Sequence, residues 1–429
     1  NGARTVLIER YGFSGGTLTA CGTGPMMTFH AGNVQVVRGI PDELITRLKM
    51  KGLSVGHIFD TTGYTYTVTP FSSEGMKMEL DSMLTEAGVD IFYHCTLCDV
   101  DFSDRTIHSA EIYSKSGKFK IYSKIFIDAS GDCDLSVLAG LPYMKGRKKD
   151  GLCQPMTMNF KVIDVDIEKT KKYIMSNNEE FPRLKGDLQK VTRSCRLSIG
   201  GFVNTLKTAR EKGDISFDRE DILFFETDRP GEVIVNTTRI INADPTTPQG
   251  LTFAEIEGRK QAAEVFTLLK THIAGFENSK LEFTGPFIGV RCSRRIKGKY
   301  VITAKDIINC RMFKDAIAFG GYPIDVHSPD GCDDSVYDKK VQKYGDIYSI
   351  PFSALVSDMA DNLITVGRCI SADFEAQAAI RVSPIAAAVG QSGGTAAALC
   401  SRDQISVHQL DIRELHNLLK IQNVYLGGI

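Results

Sequence analysis

The chain has 429 residues, 42% of them hydrophobic and 24% charged, which is enough apolar material for two packed domains. Its 51 Lys and Arg nearly cancel its 52 Asp and Glu, so the overall balance argues against nucleic acid or an anionic membrane surface as partner. No apolar run approaches the roughly 20 residues that cross a bilayer, no leader precedes Asn1, and the 11 scattered cysteines suit reduced thiols, so a cytoplasmic protein is expected.

In chain order, Thr5 to Glu9 is an apolar run ending in an acid, the pattern of a buried parallel strand, and Asn1-Gly2 closes a preceding helix. Leu44, Ile45 and Leu48 recur at helical spacing behind Pro41 and before Gly52, and a second helix spans Ser73 to Glu86 with a stop at Gly88. Strands follow over Asp90 to Cys95, Thr106 to Ser114 and Lys118 to Tyr122. Within them Cys95 and Cys98 have CxxC spacing, but on a regular strand they face opposite ways, and no second Cys or His pair lies downstream, so a metal site is not expected. Lys124 to Asp132 is an apolar strand that breaks into small residues and acids, and Gly146-Arg147-Lys148-Lys149 reads as a solvated loop.

Beyond Gly151 the texture changes. A Lys- and Asn-rich stretch from Asp164 to Lys190 precedes strands near Ile222 to Phe225 and Val233 to Thr238, then a long helix from about Thr252 to Ala274. Buried-strand texture returns at Asn362 to Arg368, followed by a small-residue helix from Ser383 to Cys400. The pattern is a second domain inserted into the first.

Three strand ends carry the chemistry, because ligands of doubly wound sheets bind at the carboxyl edge. The first ends in Glu9, placed to meet a ribose hydroxyl. The second ends in Ala129, Ser130, Gly131 and Asp132, either a close approach of main chain to a dinucleotide or a tight turn with Asp132 or Asp134 capping the next helix. The third is Val366-Gly367-Arg368, followed by a helix whose small residues admit another backbone and whose first-turn N–H groups suit an anion or an electron-rich ring edge. Ligand-free helix packing is the competing explanation for the small residues.

Together GARTVLIERYGFSGGTLTACG, IDASGDCDLSVLAG, GVRCSRRIKGKYVIT and NLITVGRCISADFEAQAAIRVSPIAAAVGQSGGTAAAL resemble the FAD-dependent oxidoreductases of the glutathione-reductase-like (GR2-type) flavoprotein superfamily, including bacterial flavoproteins that carry a xanthan lyase name. The resemblance implies an α/β fold: a doubly wound FAD/NAD(P)-binding sheet with an inserted α+β substrate domain. The FAD-binding parts would be residues 1–152 and 346–405, the insert 153–345, and a C-terminal helix would lie in 406–429. It also implies that a strand, a GxGxxG turn and a helix stand before Asn1. For the cofactor it implies Glu9, with Arg10 beside it, at the adenosine ribose, and Gly15, Gly16 and Thr17 along the pyrophosphate. Cys98 would lie on the strand at the adenine, Ala129, Ser130, Gly131 and Asp132 at the second dinucleotide motif, and Gly367 and Arg368 at the third. Gly393, Gly394 and Thr395 would lie beside the N1–C2=O side of the flavin.

For substrate, Arg291, Arg294 and Arg295, His327 and Arg381 are polar groups in apolar or turn-rich surroundings. Arginine forks suit carboxylates or sugar oxygens, and a His handles the proton that accompanies hydride transfer. Ion pairs between domains and a solvated loop His are the bland alternatives. With only Cys21 soon after the first acid-ended strand, a disulfide reductase is not expected, and the cysteines read as small buried residues. The expected function is an FAD-dependent oxidoreductase acting on a small hydroxylated or carboxylated molecule, with a homo-oligomer as the candidate assembly. The alternatives are a non-catalytic binding or assembly protein that has lost FAD, or an electron-transfer subunit.

Overall fold

The computed structural model describes residues 2–331 and 345–428. In chain order the elements that position the site are β1 (Val6–Ile8), α1 (Thr17–Ala20), α2 (Ile40–Met50), α3 (Ser73–Glu86), β2 (Asp90–Phe92), β3 (Thr96–Ser103), β4 (Thr106–Ser114), β5 (Gly117–Ile121), β6 (Phe126–Asp128), α4 (Asp134–Leu138) and β7 (Tyr143–Lys145). The insert supplies β8 (Phe160–Ile163), α5 (Ile167–Ser176), β9 (Ser198–Gly201), α6 (Val203–Lys212), β10 (Ile222–Glu226), β11 (Val233–Val235), α7 (Pro248–His272) and β12 (Lys280–Thr284). The return carries β13 (Arg294–Ile296), α8 (Ala304–Ile308), β14 (Ala316–Gly320), β15 (Tyr348–Pro351), β16 (Leu363–Thr365), α9 (Phe374–Ile380), α10 (Ser383–Asp403) and α11 (Ile412–Ile421).

The architecture is α/β, as the sequence led us to expect. Two parallel pairs form: β1 with β2, matching Val6 to Asp90, and β6 with β16, matching Asp128 to Thr365. Because β6 and β16 run the same way, their carboxyl ends share one edge. The antiparallel meander β3–β4–β5 flanks them, and the insert is a five-stranded antiparallel sheet in the order β9–β10–β11–β8–β12.

Two hydrophobic cores pack separately. One runs from Met156 to Ile288, whereas Ile302, Ile307, Phe313 and Phe319 belong to the core that also holds Phe29, Leu48, Ile364 and Leu399. Between them in the chain, β13 pairs with β7. The apolar pattern of Ala316–Phe319 is that of any buried strand, and only its neighbours reveal which core it fills.

The CxxC reading also changes. Cys95 precedes β3, its N–H bonded to the Glu9 carbonyl at 3.0 Å, and the β3–β4 ladder slips between Leu97 and Asp99. A bulge at Cys98 breaks the regular alternation on which the opposite-face argument rested. Among the described residues no group of three His, Cys, Asp or Glu stands ready to hold a metal, and no helix is long and apolar enough to cross a membrane.

Candidate functional site

The shared edge of β6 and β16 is built from short-range bonds. Asp128, 1% exposed, ends β6 and its carboxylate accepts from Ser130 Oγ (2.7 Å), Ser136 N (2.9 Å) and Ser136 Oγ (2.7 Å). Ser130 Oγ in turn accepts from Asp134 N at 2.9 Å. Asp128 and Ser130 thus satisfy the orphan N–H groups at the start of α4, a task the sequence reading had offered to Asp132 or Asp134. That leaves Asp132 free for the rim, where its Oδ1 receives Arg368 Nη2 at 2.8 Å and Ser293 Oγ at 2.6 Å. Arg368 also donates to the Val290 carbonyl. Its charge is spent on bridging β6, β16 and the strand leading into β13.

The end of β1 meets the same rim, with Arg10 within electrostatic reach of Asp132 and Asp134. Arg10 also lies over the Tyr11 ring at 4.7 Å. Glu9 is half-buried, and one carboxylate oxygen accepts the Tyr11 N–H at 2.9 Å, which orients the acid. Beyond it Gly15 and Gly16 adopt φ of 116° and 55° and lead into Thr17, the first residue of α1.

These residues fit an FAD. Gly16 and Gly367, at φ 55° and 74°, have nothing within 4 Å of where a Cβ would project, so bare main chain faces open space at both ends of the rim. At the end of β16 the Thr365 hydroxyl is buried without a hydrogen-bond partner. Gly131 differs: a Cβ there would meet Arg368 Nη2 at 2.8 Å. Ala129 is exposed, and Cys98 Sγ lies 3.3 Å from the Glu111 carbonyl, on the meander beside β1. Gly393, Gly394 and Thr395 sit mid-helix in α10. A Cβ on Gly393 would strike Val366 Cγ1 at 2.4 Å, and Thr395 Oγ1 bonds the Gln391 carbonyl and Gln422. Gly393 is thus a packing residue that lets α10 support the third strand end from beneath, and the ligand-free explanation applies to it.

A second cluster lies where the insert meets this rim. Arg291 Nη1 donates to the Pro155 carbonyl at 2.8 Å and to Thr157 Oγ1, and Nη2 to Asn236 Oδ1 at 3.4 Å, all neutral acceptors. Burial, then the nearby Arg381 and Arg219 guanidinium groups, pulls Arg291 below its ordinary value, the signature of positive charge without a full complement of anions. Arg381 reaches Asp325 at 3.7 Å and Gln154 Oε1 at 3.5 Å, while its Nε is buried without a partner. His327 Nε2 stands 3.4 Å from Asp325, and its N–H points to Gln154 Oε1, also 3.4 Å away. Burial alone would raise the Asp325 acid, but His327, then Arg381 and Arg291, hold it well below the usual carboxylate range.

Of the five expected substrate residues, Arg291, Arg381 and His327 come together and Arg294 and Arg295 do not. Arg294 turns back to the rim, donating to the Asp132 carbonyl at 2.9 Å and pairing with Asp134. Arg295 points into the core, 2% exposed. Sequence reasoning missed Asp325, Gln154, Tyr322 and Gln377. Tyr322 donates to Asp325 at 3.2 Å, and Gln377 holds the Arg291 carbonyl at 3.1 Å. The one available signal was the acid two residues before His327 in the stretch YPIDVH.

No curated protein matches the chain. Solved structures resemble it at low identity. One is the p-nitrophenol 4-monooxygenase PnpA of Pseudomonas putida DLL-E4, with 12% identity and TM-score 0.37, covering 70% of this chain and 64% of that one. Another is a geranylgeranyl bacteriochlorophyll reductase-like protein of Thermoplasma acidophilum, with 10% identity and TM-score 0.41, covering 92% and 75%. A third is the myxobacterial chondrochloren halogenase CndH, with 11% identity and TM-score 0.42, covering 98% and 73%. The chain thus spans less than two thirds of the monooxygenase. The sequence model of the FAD dependent oxidoreductases matches residues 1–419, and the chain belongs to that family, with FAD as its cofactor.

Proposed function

We propose that this FAD-dependent oxidoreductase exchanges a hydride between flavin N5 and a small carboxylated or hydroxylated organic molecule held between the rim and the insert. FAD, when bound, supplies the hydride acceptor or donor. Glu9 meets its ribose, the main chain of Gly15, Gly16, Ala129 and Gly367 admits its phosphates and ring, and Thr17, Cys98 and Gly394 line its approach. The observation that carries the substrate class is Arg291, a half-buried guanidinium whose hydrogen-bond acceptors among the described residues are all neutral, beside Arg381, whose Nε has no partner among them. Two forks converge where a carboxylate would accept paired hydrogen bonds. His327, steadied by Asp325, is placed to give or take the proton of the reacting hydroxyl.

The test is anaerobic bleaching of the flavin in the full-length protein by a panel of hydroxy acids and neutral sugars. Hydroxy acids are expected to bleach it. Arg291→Gln should then raise KM for the acid about 10- to 100-fold, the loss of one charge-assisted bond, with a smaller change in kcat. Bleaching by neutral sugars alone, indifferent to Arg291, would overturn the substrate class.

A further inference from the structure

We propose that Cys153 and Cys292 are a peroxide-oxidisable dithiol, a modification site at the junction of the insert and the cofactor-binding part that closes reversibly to a disulfide. Nothing in the inference depends on the flavin or on the substrate class.

The argument starts from a charge without a counter-ion. Arg295 is 2% exposed, and its guanidinium donates to the carbonyls of Ala372 (2.9 Å) and Gly146 (3.0 Å). Among the described residues it has no carboxylate within 4 Å. Asp373, an acid within electrostatic reach, is engaged instead with the N–H groups of Ala376 (2.7 Å) and Ala304 (3.0 Å). A buried guanidinium needs an anion. Its remaining contact is Cys292 Sγ, 3.4 Å from Nη1, on a side chain with no exposed surface. The electrostatics of the site also set the Cys153 thiol and the Gln154 N–H against that sulfur, which otherwise meets only the Ser293 carbonyl, at 3.9 Å, among the described residues. A buried guanidinium beside a sulfur favours its thiolate.

The titration follows the geometry. The Cys153 thiol, then Arg295 and Arg368, lower Cys292 below the ordinary thiol value against the opposing effect of burial. Cys153 is pushed well above the ordinary thiol value by the same bond, with Lys145 and Arg295 opposing.

Cys292 thiolate attacks the terminal oxygen of a hydroperoxide. The S–O bond forms as the O–O bond breaks, and the alcohol or water leaves with a proton, so sulfur is oxidised to the sulfenic acid and peroxide is reduced. The Cys153 sulfur then attacks that sulfur. The S–S bond forms as the S–O bond breaks, and hydroxide leaves as water with the Cys153 proton. The sum is two thiols and one hydroperoxide giving a disulfide, an alcohol or water, and water. Cys153 is half-buried, so the pair is reached from its side. Its neighbour Gln154 holds Arg381 and His327, so oxidation acts on the substrate cluster directly.

The test is limiting hydrogen peroxide on the full-length protein, then non-reducing peptide mass spectrometry. A Cys153–Cys292 linked peptide is expected, reversed by dithiothreitol, at peroxide levels that leave the exposed Cys195 reduced. In Cys153→Ser, and in Cys153→Ala as a second variant, dimedone should trap a sulfenic acid on Cys292. Alkylation of Cys292 in the unmodified protein should rise with a midpoint below the ordinary thiol value. Oxidation of Cys195 first with both thiols intact, absence of the Cys292 adduct in both variants, or an alkylation midpoint at or above the ordinary thiol value would each overturn the proposal.

Discussion

Gly367 carries a left-handed backbone and faces open space where a side chain would project. Gly367→Ala keeps the chain folded but costs about 1–2 kcal/mol for an alanine at positive φ, and its methyl enters the path proposed for the cofactor. The purified variant should hold less flavin per chain, read from visible absorbance against protein concentration; full occupancy would count against main-chain contact at this glycine. Asp128 shows the opposite situation, a buried acid wholly consumed by its own turn. Asp128→Ala strands the Ser130 and Ser136 donors and should cost about 3 kcal/mol in urea unfolding, and a loss under 1 kcal/mol would mean that water replaces the carboxylate at no great cost. Arg368 illustrates why residue type alone misleads: its rim position suggests a ligand contact, and its hydrogen bonds to Asp132 and Val290 make it a tie between segments.

Helices whose signals are local lay where the sequence put them. α3 runs over Ser73–Glu86 as expected, since the Ser72 side chain accepts the Gly75 N–H at its start and Gly88 stops it. α7 begins at Pro248, four residues before the expected start, because Thr247 caps it and proline suits a first turn. α5 escaped notice inside a stretch judged by its Lys and Asn content, although Asp166 caps it and Ile167, Thr170 and Ile174 bury one face. The short α8 depends on a capping box between Thr303 and Asp306. Burial would raise the Asp306 acid, but the Thr303 N–H, then Arg311 and the Thr303 and Tyr300 hydroxyls, hold it below its ordinary value. A group whose folded value is depressed contributes stability that is whole above its unfolded value and fades as pH falls through the folded one. Asp306→Asn should therefore lower Tm at neutral pH by the equivalent of about 1–2 kcal/mol, with the gap from the parent shrinking below about pH 4. A gap that grows in acid would contradict this sign.

At the scale of the molecule, two cores meet through hydrogen bonds whose partners lie far apart in the chain. Thr61 Oγ1 donates to the Ser198 carbonyl at 2.6 Å and accepts the Ser198 N–H at 2.7 Å, and Asn159 Nδ2 reaches the Cys21 carbonyl at 3.3 Å. Thr61→Val removes both Ser198 partners inside the fold and should cost about 1–3 kcal/mol, with faster amide exchange at Ser198 while the centre of α7 keeps its protection. Unchanged exchange would show that the junction is held elsewhere. The strands of the first 130 residues, the longest helices, the three acid- or glycine-bearing strand ends and the class of fold were legible in the sequence, because periodicity, caps and turn residues act over a few positions, whereas short strands such as β8, β9, β12 and β14 were not. What tertiary structure alone decided was company. It set Arg291 beside Arg381 and Asp325, turned Arg294 to the rim, returned Ala316–Phe319 to the first core and laid Cys153 against Cys292. Charges and thiols choose partners by distance in space and by the burial that strengthens each contact, and neither is written in the spacing of residues along the chain.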